Sequence, residues 1–303
     1  MKVSVIITTY QRTDFLIRAI DSVLNSDYFD FELIVIDDNG LNSDFQIQNI
    51  EILKKYSQNE NFIYYTMPIN SGACKSRNQG SEIANGSVLM FLDDDDYYLP
   101  SKISKQVEVL KNPNFDACLC AMKRLDENNF EINSTENFPR GKNLKDFLQN
   151  GNCFTSMIAI KKDAFLKIKG FSEIERFQDK FFMYKFFENN LKVFLLQEQL
   201  FVFSEHSQTR ISLGNIEKIS NAHKKIYSFK EKYFHLFSKN KQEEFTNNYF
   251  LNQASIRSNG SFVQRLKGLN YLLKSNRLFQ NYNVLIKLVF SNQLIDLLRN
   301  KTN

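Results

Sequence analysis

Four consecutive aspartates, Asp93–Asp96, follow directly on the apolar run Val88–Leu92. Adjacent carboxylates repel, so clustering them at a strand end costs stability unless a cation or donor groups neutralise them. Alternate carboxylates with only oxygen for company suit a hard divalent ion, Mg2+ or Mn2+, that also holds a diphosphate. The competing reading is a solvated acidic turn. An EF-hand is disfavoured, because the aspartate spacing and the central glycine it needs are missing. A second polar cluster, Asp37-Asp38-Asn39-Gly40, closes the run Glu32–Ile36, and a third, Thr8-Thr9-Tyr10, closes Val3–Thr9.

The elements that must carry these clusters alternate in type. Val3–Thr9 is β-branched and apolar, as in a strand buried on both faces. Thr13 or Asp14 is placed to cap a helix whose apolar face is Phe15, Ile20, Val23 and Leu24. The strand Glu32–Ile36, a helix near Phe45–Tyr56, a strand Phe62–Thr66, a helix Ser76–Ala84 and the strand Val88–Leu92 follow. Strand–helix alternation predicts an α/β fold with a mostly parallel sheet and right-handed crossovers. In such sheets, ligands bind beyond the carboxyl ends of the strands, where all three polar clusters fall. Further on, Lys102–Leu110 and Phe181–Glu188 read as helices, Ala117–Met122 and Thr155–Lys161 as strands. Beyond residue 207 the pattern is helical: Phe262, Leu266, Leu269 and Leu273 share a face away from Arg265, Lys267, Lys274 and Arg277, and Val284–Leu298 repeats the scheme with Lys287 and Arg299.

Composition bounds the possibilities. With 303 residues and 43% apolar content, the chain is too apolar for disorder and long enough for one large or two small domains. Its four cysteines include no C-x-x-C pair, so they read as buried small apolar residues, not as a disulfide or zinc framework. The start resembles no signal peptide and no run reaches membrane-spanning length, which predicts a soluble, cytoplasmic protein. The net charge of +5 divides into −6 over residues 1–206 and +11 over residues 207–303. This division predicts an acidic body (1–206) and a separate basic helical region (207–303). A nucleic-acid binder is disfavoured, because the cleft itself is acidic. The basic region is read either as a subdomain packing on the body or on a second subunit, in a homo-oligomer, or as interfacial helices in peripheral contact with an anionic membrane. The packing role is preferred.

The ordered series VSVIITTYQR, ELIVIDDNG, NSGACKSRNQG and SVLMFLDDDDYYLPSK resembles family 2 of the inverting glycosyltransferases, with the GT-A fold. The resemblance spans roughly residues 1–206. It implies that Thr8 and Tyr10 contact the nucleotide base, the tyrosine ring stacking on it. Asp38 would accept the pyrimidine ring N–H, which cytosine lacks, favouring a UDP-sugar or dTDP-sugar. Arg77 matches an arginine near base and phosphates, although a helix-surface arginine is an equal reading of the residue alone. Asp93 and Asp95 match the D-x-D pair, with Asp95 ligating Mn2+ or Mg2+ and Asp93 reaching the metal or the ribose. Asp94 is a further ribose candidate and Asp96 a structural one. His206 matches a late histidine near metal and diphosphate, and Arg210 is a candidate phosphate neutraliser.

Asp179 matches the catalytic base, and it is also suited to cap the aromatic helix. Ser172 and Gln178 replace acids usual at those positions; without a charged neighbour, Asp179 loses one influence that would raise its pKa. The resemblance implies sugar transfer with inversion to a hydroxyl of a glycan or lipid-linked saccharide acceptor, in synthesis of a bacterial surface polysaccharide. Two rivals are a catalytically inactive sugar-nucleotide-binding protein and a nucleotidyltransferase. The second needs a glycine-rich phosphate loop after the first strand, and TTYQRTDF has no glycine.

Overall fold

The computed structural model describes residues 1–205, 215–275 and 282–289. It divides into two compact units, one of residues 1–173 and 178–208, the other of residues 174–177 and 209–303.

In the first unit, β1 (Val3–Thr9), β2 (Phe31–Asp37), β3 (Phe62–Thr66) and β4 (Val88–Asp93) form a parallel ladder in the order β3-β2-β1-β4. Helices α1 (Thr13–Leu24), α2 (Asp44–Leu53) and α3 (Ala73–Ile83) make the crossovers. Val5, Ile6, Leu33, Val35, Met90 and Phe91 are fully buried, as strands covered on both faces require. The register aligns the strand ends: Thr8 lies opposite Asp93, and Thr9 opposite Asp37. The three polar clusters therefore share one edge of the sheet.

The rest of the unit is mixed, so the sheet as a whole combines parallel and antiparallel pairs. After β5 (Tyr97–Tyr98) and α4 (Lys102–Leu110) come β6 (Ala117–Leu125), α5 (Leu144–Asn150), β7 (Ile158–Lys161), α6 (Lys162–Lys167), α7 (Gln178–Glu188) and β8 (Val193–Ser204). The sheet continues β4-β7-β6-β8-β5, with only the β6–β8 pair parallel. The segment Thr155–Met157, read as strand, is a 3-10 turn leading into β7. All four cysteines are buried and in no disulfide, as expected of small apolar residues.

Gly80 of α3 sets how closely that helix lies on the sheet. A Cβ there would come within 2.5 Å of Ile6 Cγ2, and Ile6 is fully buried and unable to move aside. Gly80→Val is expected to lower stability by about 2–3 kcal/mol through overpacking, read as a lower urea midpoint with an unchanged slope.

The second unit is helical: α8 (Ile216–Lys232), α9 (Lys239–Arg257), α10 (Phe262–Lys274) and α11 (Tyr282–Val289). Ala254, Leu272 and Leu288 form its core with Leu251, Tyr271, Val284 and Leu285 around them. A buried polar knot binds α8 to α9: Arg257 donates to the Gln253 side chain at 2.5 Å and to Ser220 Oγ at 2.8 Å. Among the described residues, no helix is long and apolar enough to cross a membrane.

Candidate active site

The β2 end is built on two aspartates with different tasks. Asp37, fully buried, accepts from Asn39 N and Nδ2, from Asn49 Nδ2 at 2.8 Å and from the Tyr64 hydroxyl at 2.6 Å. Asn39 then accepts the Gln11 amide at 2.8 Å, which ties this knot to the turn after β1. Asp38 faces the other way. Its carboxylate accepts Ser71 N at 2.7 Å, Gly72 N at 2.8 Å and Asn70 Nδ2 at 3.1 Å. Gly72 makes this possible by taking φ +85°, a conformation side chains resist. Burial, opposed by these hydrogen bonds, leaves the Asp38 carboxyl above its ordinary value.

The aspartate loop leaves β4 and closes as a turn, with Asp96 N donating to the Asp93 carbonyl. Each of its side chains has its own environment. Asp93 accepts from Arg77 Nη2 at 2.6 Å. Asp94 is buried and pushed up to about 7, first by burial and then by Asp95, with Arg12 opposing. Arg12 pairs closely with Asp95 and reaches Asp94 at 3.5 Å. Asp96 is a brace: it accepts Ser156 Oγ at 2.9 Å and Ser204 N at 3.3 Å, joining the ends of β4 and β8. Arg18 completes the frame, donating to the Asp95 carbonyl at 2.6 Å and to Ser204 Oγ at 3.1 Å across the Tyr97 ring.

Arg77 does not lie on a helix surface. It is buried, its guanidinium lies over the Phe171 ring, and its second amino group donates to Gln178 Oε1 at 2.6 Å. Gln178 opens α7, so this single side chain joins the aspartate loop to the element that carries Asp179. Asp179 sits in the first turn of α7 and is no N-cap, since the helix begins one residue earlier. Its carboxylate instead accepts the amide of Lys180 at 2.6 Å. Burial pushes its pKa up to about 6, against the pull of Lys180 and Arg77. A carboxyl tuned towards neutrality is the form a general base takes.

The expected cap of α1 is also absent. Arg12 occupies the cap position with no side-chain cap, because Gln11 takes φ +55° and Arg12 turns to the aspartates; Asp14 lies one residue inside the helix. Thr8 and Tyr10 sit at the same sheet edge, both half-buried. His206 and Arg210 lie outside the described residues. No sequence motif marks Arg12, Arg18, Ser156 or Ser204; for Arg12, the available signal is a cation just beyond the end of the first strand.

A profile of glycosyl transferase family 2 matches residues 4–169. The chain belongs to glycosyl transferase family 2. This assignment excludes the nucleotidyltransferase reading. An uncharacterised glycosyltransferase of Methanocaldococcus jannaschii is 27% identical over 82% of this chain and 83% of its own length. A protein of Escherichia coli whose name assigns it to colanic acid biosynthesis is 35% identical over 34% of this chain and 35% of its own. The chain spans 17%, 53% and 21% of the lengths of other curated glycosyltransferase relatives, from Rickettsia bellii, Nostoc and Rickettsia felis. Among solved structures, S. aureus TarS with UDP-GlcNAc superposes at TM-score 0.66 and 19% identity, covering 91% of this chain and 79% of that one. A Pyrobaculum calidifontis mannosyltransferase with GDP-Man and Mn2+ superposes at TM-score 0.58 and 14% identity, covering 96% and 86%. These likenesses establish the GT-A fold for this family 2 chain.

Proposed function

We propose that this family 2 protein is an inverting transferase that moves a sugar from a UDP-sugar or dTDP-sugar to an acceptor hydroxyl. The observation that carries the reading is Arg77, which holds Asp93 and Gln178 together and so sets the base-bearing helix beside the aspartate loop. Asp179 takes the acceptor's proton as the hydroxyl oxygen attacks the anomeric carbon from the side opposite the diphosphate. One displacement forms the new glycosidic bond, breaks the bond to the diphosphate and inverts the anomeric centre.

Asp38 would accept a base imide N–H, with Tyr10 as a stacking surface and Thr8 beside it. Asp94, Asp93 and Arg77 are the ribose and phosphate contacts. The donor chemistry of the loop fits a hard divalent ion held by one or two carboxylates, with phosphate oxygens completing the shell. Asp95 and Asp93 would hold Mn2+ or Mg2+, with His206 the third candidate. The ion would supply electrostatic stabilisation of the departing diphosphate. The colanic acid relative supports a place in surface polysaccharide synthesis.

The test is donor hydrolysis and transfer across UDP-, dTDP- and GDP-sugars with Mn2+. UDP- or dTDP-sugar turnover is expected, and chelation is expected to lower it about 100-fold or more, restored by Mn2+. Turnover confined to GDP-sugars overturns the pyrimidine-nucleotide donor. Undiminished turnover under chelation overturns the metal reading.

A further inference from the structure

Helix α10 carries two apolar faces where a bundle helix needs one. Its inner face is already satisfied: Leu272 is fully buried in the unit's core, and a Cβ on Gly268 would come within 2.5 Å of Leu288 Cδ2. On the outer side Phe262, Val263, Leu266 and Leu273 are 66%, 60%, 52% and 56% exposed. At about 100° per residue, Phe262, Leu266, Leu269 and Leu273 fall in one stripe. Arg265 flanks that stripe on one side, Lys267 and Lys274 on the other. Between Glu244 and Asp296 the chain has six Lys or Arg residues and no acidic residue.

This pattern selects the occupant. A second copy of the chain docking symmetrically would set the same cations against each other. A free anion satisfies the cations but leaves the stripe in water. A lipid surface with anionic headgroups meets both requirements, since cations settle among phosphates while large apolar side chains enter the acyl boundary. We propose that α10 is an interfacial anchor, laying Phe262, Leu266, Leu269 and Leu273 into an anionic membrane surface with the exposed Lys267 and Lys274 on the headgroups. The helix lies in the plane of the interface.

The test is flotation of the full chain with vesicles of phosphatidylcholine containing phosphatidylglycerol, against phosphatidylcholine alone, at low ionic strength. Binding to the anionic vesicles only is expected, weakening as salt is raised. Each exposed cation contributes about five-fold to such binding, so the Lys267→Gln/Lys274→Gln variant should bind about 25-fold more weakly. Leu266→Asp/Leu273→Asp should abolish binding while thermal unfolding is unchanged, because both side chains already face solvent. No binding to anionic vesicles, or equal binding to both kinds, overturns the proposal. So does retention on immobilised polyglutamate without vesicle binding, or a concentration-dependent dimer that the leucine variant dissociates. None of these readouts involves sugar transfer, so the outcome is independent of the catalytic reading.

Discussion

Asp179→Asn is expected to lower kcat by about 1,000-fold while binding of the nucleotide donor persists. A positioned general base contributes roughly 100- to 10,000-fold, and an amide of nearly the same shape cannot take the proton. The wild-type profile carries its own signature. The base works only when deprotonated, so kcat/KM should rise with pH, with unit slope, up to about 6 and level off above it. The stability sign follows from the same shift. Burial raises the folded pKa above the ordinary 3.8, so the native state favours the protonated form. Stability is fully present below the unfolded pKa and declines as pH rises through about 6. The neutral variant escapes that loss and should unfold at no lower a temperature than wild type at pH 7. Thermal unfolding beside the transfer assay separates lost chemistry from lost fold. Full transfer by the variant refutes Asp179 as the base. Donor binding without transfer in the wild type would mark an inactive binding protein.

Arg77→Gln is expected to lower kcat/KM by about 100-fold or more and to move the acid limb above 6. The cation has two separable effects. Its fork fixes Asp93 and Gln178 at 2.6 Å each, a two-pronged geometry that no neutral side chain reproduces. Its charge also holds the Asp179 pKa down, so removing it lets burial and Asp93 act unopposed by this cation. Arg77→Lys keeps the charge and loses the fork. That variant should leave the limb near 6 and lower the plateau, which tells positioning apart from electrostatics in one pair of pH profiles.

The half of the fold that was legible in the sequence is the half buried on both faces. β1, β2 and β4 read as continuous apolar runs because nothing in them needs water, and each ends abruptly in polar residues. The second half hid for the opposite reason. β8 alternates buried, half-buried and exposed positions, with Gln197 and Glu198 interrupting its apolar pattern. Its partner β6 shifts register at Cys120/Ala121 and again at Ala121/Met122, so no local period marks the ladder. The candidate site divided the same way. Its aspartates stand out because four carboxylates in a row demand an explanation. Arg12, Arg18, Ser156 and Ser204 find them across 83, 77, 60 and 108 residues of chain, respectively, and no spacing rule spans such distances.

Those long spans also order the events of folding. The β3-β2-β1-β4 ladder closes within the first 93 residues through crossovers of ordinary length. The Arg77–Gln178 and Asp96–Ser204 bonds join residues 101 and 108 apart, so their loop-closure entropy is met only after the intervening strands have docked. The groups proposed for proton transfer therefore rest on the contacts with the longest loops to close.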